Sequence, residues 1–97
     1  MAGERKVPRP FTMHWGSGQI VEEAGYIGEH HAPAIQLMEY TDGDGQGLRS
    51  IRFCFYDHRG RFQRNPMMLA EAEFDEMRAA LAKAPRLREL LRGLVAD

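Results

Sequence analysis

The stretch that decides the fold is IRFCFYDHRGRFQRNPMML, which runs from Ile51 to Leu69. Apolar and polar residues alternate on both sides of the dipeptide Arg59–Gly60, and a period of two is typical of β-strands. Glycine accepts the left-handed backbone that a tight turn requires. The stretch therefore predicts two strands joined by a turn.

The first strand of this hairpin has two faces of different character. Ile51, Phe53 and Phe55 share one face, which we expect to pack beneath helices at the C-terminus. The other face is the one on which a ligand would lie. It carries Arg52, Cys54, Tyr56 and His58.

The sequence on either side predicts an α+β domain over residues 11–97, with residues 1–10 as an extended arm. AIQLMEY (34–40) alternates as a strand and FTMHW (11–15) fits a short one. Residues 19–33 fit a short helix or a strand and turn, and their β-branched residues and glycines favour the strand and turn. The glycine-rich run TDGDGQG (41–47) predicts a hairpin loop.

The apolar period changes to that of a helix after Glu71. Pro85 either kinks this helix or begins a second one. Strands followed by helices predict an antiparallel sheet of about four strands with helices packed on one face. The last apolar stripe is too hydrophobic to remain exposed, so it packs on the sheet or on another copy. Its residues are Leu87, Leu90, Leu91, Leu94 and Val95.

Positive charge is concentrated in the predicted hairpin. The net charge of the chain is −1, which excludes a uniformly basic nucleic-acid binder. Residues 10–48 contain six acidic residues and no lysine or arginine, whereas residues 49–64 contain five arginines and one aspartate. Arginine suits bidentate contacts with phosphate and stacking on rings.

The sequence shows no pattern typical of an enzyme, a metal site or a cofactor site. His30 and His31 point to opposite faces of a strand, so they do not favour one shared metal ion. Cys54 and His58 lie roughly 13 Å apart along a strand, beyond hydrogen-bonding reach. We therefore expect no enzymatic activity, no catalytic residue, no metal and no cofactor.

Other features bear on the cellular location. A single cysteine cannot form an intrachain disulfide, which fits a reducing compartment. The N-terminus lacks the apolar run of a signal peptide, and no stretch is apolar enough to span a membrane. We therefore expect a cytoplasmic protein with no membrane partner.

Alternating arginines and aromatic residues suit single-stranded DNA or RNA, because cations follow the backbone and rings stack on unpaired bases. The alternative is that these arginines pair with the acidic residues of 22–44 across the sheet, in a protein-interaction or assembly module without nucleic-acid binding. The candidate nucleic-acid contacts are Arg49, Arg52, Phe55, Tyr56, Arg61, Phe62 and Arg64.

Residues 35–81 resemble the positive-cofactor-four family of single-stranded-DNA-binding transcriptional coactivators. The resemblance rests on the strand IQLMEY (35–40) and on the spacing of seven later residues. These are Ile51, Arg52, Asp57, Gly60, Leu69, Phe74 and Met77.

The resemblance implies a curved four-stranded sheet that binds unpaired DNA strands, and a homodimer built partly through the following helix. It also implies that Arg52 is the family's basic strand residue and that Phe55 contacts bases. The dimer interface expected from the resemblance and from the apolar helix positions comprises Phe74, Met77, Leu81, Leu87 and Leu91.

Overall fold

The computed structural model describes residues 5–97 and consists of a five-stranded antiparallel sheet followed by helices. Neighbouring strands along the chain are also neighbours in the sheet, so the order is β1-β2-β3-β4-β5. The strands are β1 (Arg9–Met13), β2 (Gly16–Gly25), β3 (Ala32–Gly43), β4 (Arg49–Tyr56) and β5 (Met67–Ala70).

The predicted α+β class is confirmed, with one strand more than expected. The additional strand is β2, which comes from the segment whose sequence fitted either a helix or a strand. The glycine-rich loop between β3 and β4 is present, and β4 and β5 form the predicted antiparallel pair, but residues 57–66 connect them instead of a turn at Arg59–Gly60 alone. Of the predicted arm, residues 1–4 lie outside the described residues, and Arg9 and Pro10 begin β1.

A short 3-10 turn, Glu71–Glu73, leads from β5 into α1 (Phe74–Leu81), and α2 (Pro85–Val95) follows. Ala70 has no side chain that caps the turn, but the Glu73 carboxylate accepts a hydrogen bond from the Ala70 backbone N–H at 3.1 Å. The first helix ends before Pro85, and Pro85 begins a new one, so the helical segment contains two helices rather than one kinked helix. None of the described helices is long and apolar enough to cross a membrane.

The sheet has an inner face and an outer face, which are most easily defined on β3. The inner face consists of the even-numbered residues from Ala32 to Tyr40 and their cross-strand partners, and these β3 residues are all buried. The outer face consists of the odd-numbered residues from Pro33 to Glu39 and their partners, and these β3 residues are only half-buried.

Curvature of the sheet buries the inner face. Arg9 and Tyr56 lie on strands three positions apart, which corresponds to roughly 14 Å in a flat sheet. Their side chains nevertheless meet, with 3.2 Å between Arg9 Nη2 and the Tyr56 hydroxyl. Irregular register in β2 allows the bend, and at Gly18 a Cβ would lie only 2.0 Å from the carbonyl oxygen of Glu39.

An apolar core occupies one half of the inner face. Phe11 and Tyr40 pack edge to face with ring centroids 5.1 Å apart, and they lie on either side of Gly18, which pairs with both in the sheet. Ile20 and Met38 complete the buried cluster, and Met13 and Met68 pack against it. The other half of the inner face is polar.

The predicted interior and exterior of β4 are reversed. Arg52 and Tyr56 are 8% and 7% exposed, whereas Phe53 and Phe55 are 36% and 43% exposed. The alternation itself is correct, but we expected the helices to cover Ile51, Phe53 and Phe55. Curvature encloses the opposite side instead, and no residue of α1 or α2 is buried.

Candidate nucleic-acid interface

The polar half of the inner face is organised around the carboxylate of Glu23. Arg9 donates hydrogen bonds from Nη1 and Nη2 to its two oxygens, at 3.0 and 3.1 Å. Gln36 donates a third from Nε2 at 2.6 Å. Register explains these contacts, because Glu23 and Gln36 are direct cross-strand partners and their side chains share a face.

Gln36 connects this carboxylate to β4. Its Nε2 also donates to the Tyr56 hydroxyl at 2.9 Å, and its Oε1 accepts a hydrogen bond from Arg52 Nε at 2.7 Å. Among the described residues, every fully buried side-chain nitrogen and oxygen has a hydrogen-bond partner. A satisfied network of this kind makes a buried amide and a buried guanidinium tolerable.

The network carries an excess of positive charge. Arg5 and Arg9 lie at ion-pair distance from the Glu23 carboxylate, and Arg52 is joined to it through Gln36; these three residues form the arginine cluster. Arg5 places its guanidinium carbon 3.4 Å from the centre of the Tyr56 ring, and its Nη1 lies 4.0 Å from Glu23. Within residues 5–97, Arg52 has no carboxylate at ion-pair distance. The cluster is therefore electropositive.

The pKa values of the paired groups reflect this environment. Burial acts to raise the pKa of Glu23, but hydrogen bonds from Arg9 and Gln36 and the charges of Arg9 and Arg5 outweigh it, so the pKa lies below its ordinary value. Burial acts to lower the pKa of Arg9, and the contacts with Glu23 and Tyr56 reverse that effect and raise it. Both groups are therefore charged at neutral pH.

An aromatic surface lies beside the arginine cluster. Phe62 pairs with Tyr56 across an isolated bridge, and their rings pack edge to face with centroids 5.5 Å apart. The guanidinium carbon of Arg52 lies 4.6 Å from the centre of the Phe62 ring. Phe62 is 40% exposed, so one part of its ring contacts the cluster and the rest faces solvent. A ring held in this way can stack on an unpaired base.

The structure brings three of the seven predicted nucleic-acid contacts together, namely Arg52, Tyr56 and Phe62. Arg49 lies on the outer face and pairs with Glu71 through hydrogen bonds of 3.0 and 2.6 Å. Arg61 pairs with Asp57 at 2.9 Å. Arg64 is exposed in the segment between β4 and β5 and has no ion-pair partner among the residues described.

The carboxylates that pair with Arg49 and Arg61 are not those of residues 22–44. Asp57 belongs to the same hairpin as Arg61, and the backbone hydrogen bond from Arg61, with the Arg61 side chain and the Arg59 backbone, outweighs burial and lowers its pKa. Contact with Arg49 likewise lowers the pKa of Glu71. Across the sheet, the acidic segment pairs instead with the N-terminal arginines, through Glu23.

Phe55 lies on the outer face, away from the arginine cluster. The sequence alternation places Phe55 in the core, and the resemblance places it in contact with DNA. Both can hold only if β4 has a bulge near Cys54. The register between β3 and β4 is continuous through Cys54, so there is no bulge. The Phe55 ring packs edge to face against His31, with centroids 5.1 Å apart.

The sequence did not reveal the roles of Arg5, Arg9, Glu23 and Gln36. Arg5 and Arg9 belong to a short segment that is basic overall, which was the one available signal. Their contacts depend on β1 pairing with β2 and on the curvature that brings β1 towards β4. Local periodicity predicts neither this strand pairing nor this curvature.

Cys54 is half-buried beside this network. Burial raises the pKa of its thiol, and the charge of Arg52 acts in the opposite direction. Cys54 packs against Ala32, Ala34 and Tyr56. Nowhere in residues 5–97 do three His, Cys, Asp or Glu side chains come together as metal ligands would.

The predicted dimer-interface residues fall into two groups. Phe74, Met77 and Leu81 of α1 are half-buried within a single copy, and Phe74 lies beside Leu37 and Ile51 of the outer face. The other two, which lie on α2, are exposed: Leu87 and Leu91.

Comparison with protein-family models, with curated proteins and with solved structures gives no match to this chain. The resemblance to the positive-cofactor-four family therefore stays a prediction.

Proposed function

We propose that this protein binds single-stranded nucleic acid at a surface formed by Phe62 and the arginine cluster. The observation that carries the proposal is the position of Phe62, which is partly exposed and lies against Tyr56 and Arg52. Base stacking on an aromatic side chain contributes about 1–3 kcal/mol per base. Duplex DNA offers no unpaired face to such a ring, which is why the proposal is specific for single strands.

Cations for the phosphate backbone are available around this ring. The arginine cluster beside it supplies a net positive charge, because Glu23 balances only one of its three guanidinium groups. Arg59 and Arg64, three residues before and two residues after Phe62 in the sequence, are exposed and pair with no carboxylate among the described residues. A strand stacked on Phe62 would therefore have arginines available for its phosphates.

Self-association through the C-terminal helices and a transcription-associated role are part of the same proposal. The role in transcription is supported by the resemblance over residues 35–81. Self-association is supported by the helices themselves, since neither α1 nor α2 contains a buried residue within one copy.

The test is fluorescence anisotropy with a labelled oligothymidylate, compared with a duplex of the same length over a range of salt concentrations. We expect the single strand to bind more tightly and its affinity to fall as salt rises, because phosphate contacts release counterions. Phe62→Ala should weaken binding roughly tenfold or more. Tyr26→Ala removes another exposed aromatic residue, in the loop that follows β2, and should leave affinity unchanged.

Charge is tested with a second pair of variants. Arg64→Gln should lower the affinity and reduce the slope of log affinity against log salt by roughly 0.7. Arg78→Gln, at an exposed arginine that pairs with Asp75 on α1, should change neither. No binding at low salt would refute the proposal, and so would wild-type affinity in Phe62→Ala. A loss caused by Phe55→Ala alone would move the site to the outer face.

The second candidate function is a protein-interaction or assembly module. The observation that favours it is the exposed apolar outer face, together with the pairing of Arg49 and Arg61 with carboxylates. Absence of nucleic-acid binding combined with stable self-association would support this function instead.

A further inference from the structure

We propose that two copies of the chain associate reciprocally, each placing the apolar side of its α2 on the outer face of the other. This inference rests on the self-association proposed above and names the surfaces that form it. It does not depend on nucleic-acid binding, because it involves the opposite side of the sheet from Phe62 and the arginine cluster.

The first surface is the apolar stripe of α2. Its residues recur at helical spacing and therefore lie on one side of the helix. All of them are exposed within one copy: Leu87 by 51%, Leu90 by 76%, Leu91 by 38%, Leu94 by 63% and Val95 by 80%. Leucines on a globular protein are normally buried, so a stripe of this extent indicates a surface that is covered by a partner.

The second surface is the outer face of the sheet. Phe53, Phe55 and Met67 project from β4 and β5 and are exposed. Ile35, Leu37 and Ile51 lie on the same face and are half-buried. In the same chain, Phe74 lines a hollow with Leu37 and Ile51, whereas no part of residues 5–97 covers Phe53, Phe55 and Met67, which remain exposed.

The exposed area is sufficient for a stable dimer. The α2 stripe and the three exposed outer-face residues together expose apolar area on the order of 700 Å² per copy, close to the roughly 800 Å² that each partner buries in a standard-size interface. In a reciprocal arrangement each copy contributes one helix and one sheet face, so both surfaces are covered and the assembly closes at two copies.

Charge favours the same pairing. The polar side of α2 carries Arg86, Arg88 and Arg92 against Glu89, which leaves it positive. The outer face carries Glu39 and the exposed Glu22, whose cross-strand partner Leu37 belongs to that face, while Arg49 on the same face is already paired with Glu71. Basic residues beside the docked stripe would therefore meet an acidic margin on the sheet. Two like helices facing each other would instead bring positive charges together.

The first experiment measures mass by sedimentation equilibrium of the full chain without nucleic acid. Wild type should be dimeric, and Leu94→Glu should be monomeric with an unchanged circular dichroism spectrum, because Leu94 is exposed within one copy. The matched control is Gly93→Glu, which introduces the same charge at the next residue. A Cβ at Gly93 meets nothing within 4 Å, so this variant should remain dimeric.

The second experiment distinguishes a helix on a sheet from a helix on a helix. In a Cys54→Ala background, Leu90→Cys and Met67→Cys proteins of different mass are mixed and treated with a bismaleimide. We expect crosslinks between the two different proteins, and far fewer in either protein alone. Efficient crosslinking of Leu90→Cys to itself would refute the arrangement.

The outcomes separate this inference from the broader proposals. A wild-type monomer at the highest attainable concentration would refute self-association altogether. A Leu94→Glu variant that stays dimeric would refute only the role of the α2 stripe. Nucleic-acid binding by a monomeric Leu94→Glu protein would leave the proposed function intact.

Discussion

Arg9 in β1 and Glu23 in β2 form a two-point ion pair, with 3.0 and 3.1 Å between their guanidinium nitrogens and carboxylate oxygens. The Glu23 side chain is only 6% exposed, and among residues 5–97 it is the one acid in contact with the arginine cluster. The pair therefore both holds the curved half of the sheet and determines the net charge of the proposed binding surface.

Replacing this acid should destabilise the fold. Glu23→Gln leaves Arg5 and Arg9 without their counter-charge, so we expect the free energy of unfolding to fall by about 2–4 kcal/mol. Urea denaturation followed by circular dichroism measures the change. Glu22→Gln is the matched control, because Glu22 is the exposed neighbour on the opposite face, and it should change the stability by less than about 0.5 kcal/mol. Equal effects of the two substitutions would contradict the role of Glu23.

The same pair predicts how stability depends on pH. The pKa of Glu23 in the folded protein lies below its ordinary value of 4.5, so the folded state holds the carboxylate ionised more strongly than the unfolded state does. Its contribution is therefore fully present above pH 4.5 and is lost as the pH falls through the lower folded-state value. The stability difference between wild type and Glu23→Gln should be constant near neutral pH and should shrink under more acidic conditions. A difference that does not vary with pH would be inconsistent with this assignment.

The Tyr56 hydroxyl provides a test that leaves all charges in place. Tyr56→Phe removes an acceptor used by Arg9 Nη2 and by Gln36 Nε2, while the ring beneath Arg5 remains. We expect a loss of about 1–2 kcal/mol in the free energy of unfolding, because both donors lie in a partly or fully buried site. Tyr26→Phe, at a tyrosine that is mostly exposed, should be neutral in the same urea titration.

The thiol of Cys54 should react slowly in the native protein. Burial raises its pKa, so less thiolate is present near neutral pH than for a free cysteine. With a chromogenic disulfide reagent at about pH 8, we expect the reaction to be at least about tenfold slower in the folded state than in urea. The chain has one cysteine, so the signal comes from this residue alone. Equal rates in the two states would show that the site is open to solvent.

Most elements of the fold were predictable because their signals are local. The alternation of β3 and β4, the glycine-rich loop between them and the change of period after β5 are visible within a few residues. The local signal for β2 is weaker, because this strand contains glycines and two register irregularities that interrupt its alternation. Pro85 indicated a helix boundary or a kink, and the structure shows a boundary.

The candidate site was predictable only in part. Arg52, Tyr56 and Phe62 lie close together in the sequence, and the hairpin brings them together. Arg5 and Arg9 come from the other end of the sheet, and only long-range pairing places them beside Tyr56.

The sequence by itself determined which side chains share a face, because a β-strand alternates with a period of two wherever it lies. Only the tertiary structure decided which face is inside. Rings such as Phe53 and Phe55 indicated one interior, but the sheet curves towards the side of Arg52 and Gln36, whose polar groups satisfy one another. Curvature arises from the irregular register and the close glycine contacts between β2 and β3, and the choice between the two sides depends on the whole sheet rather than on any single strand.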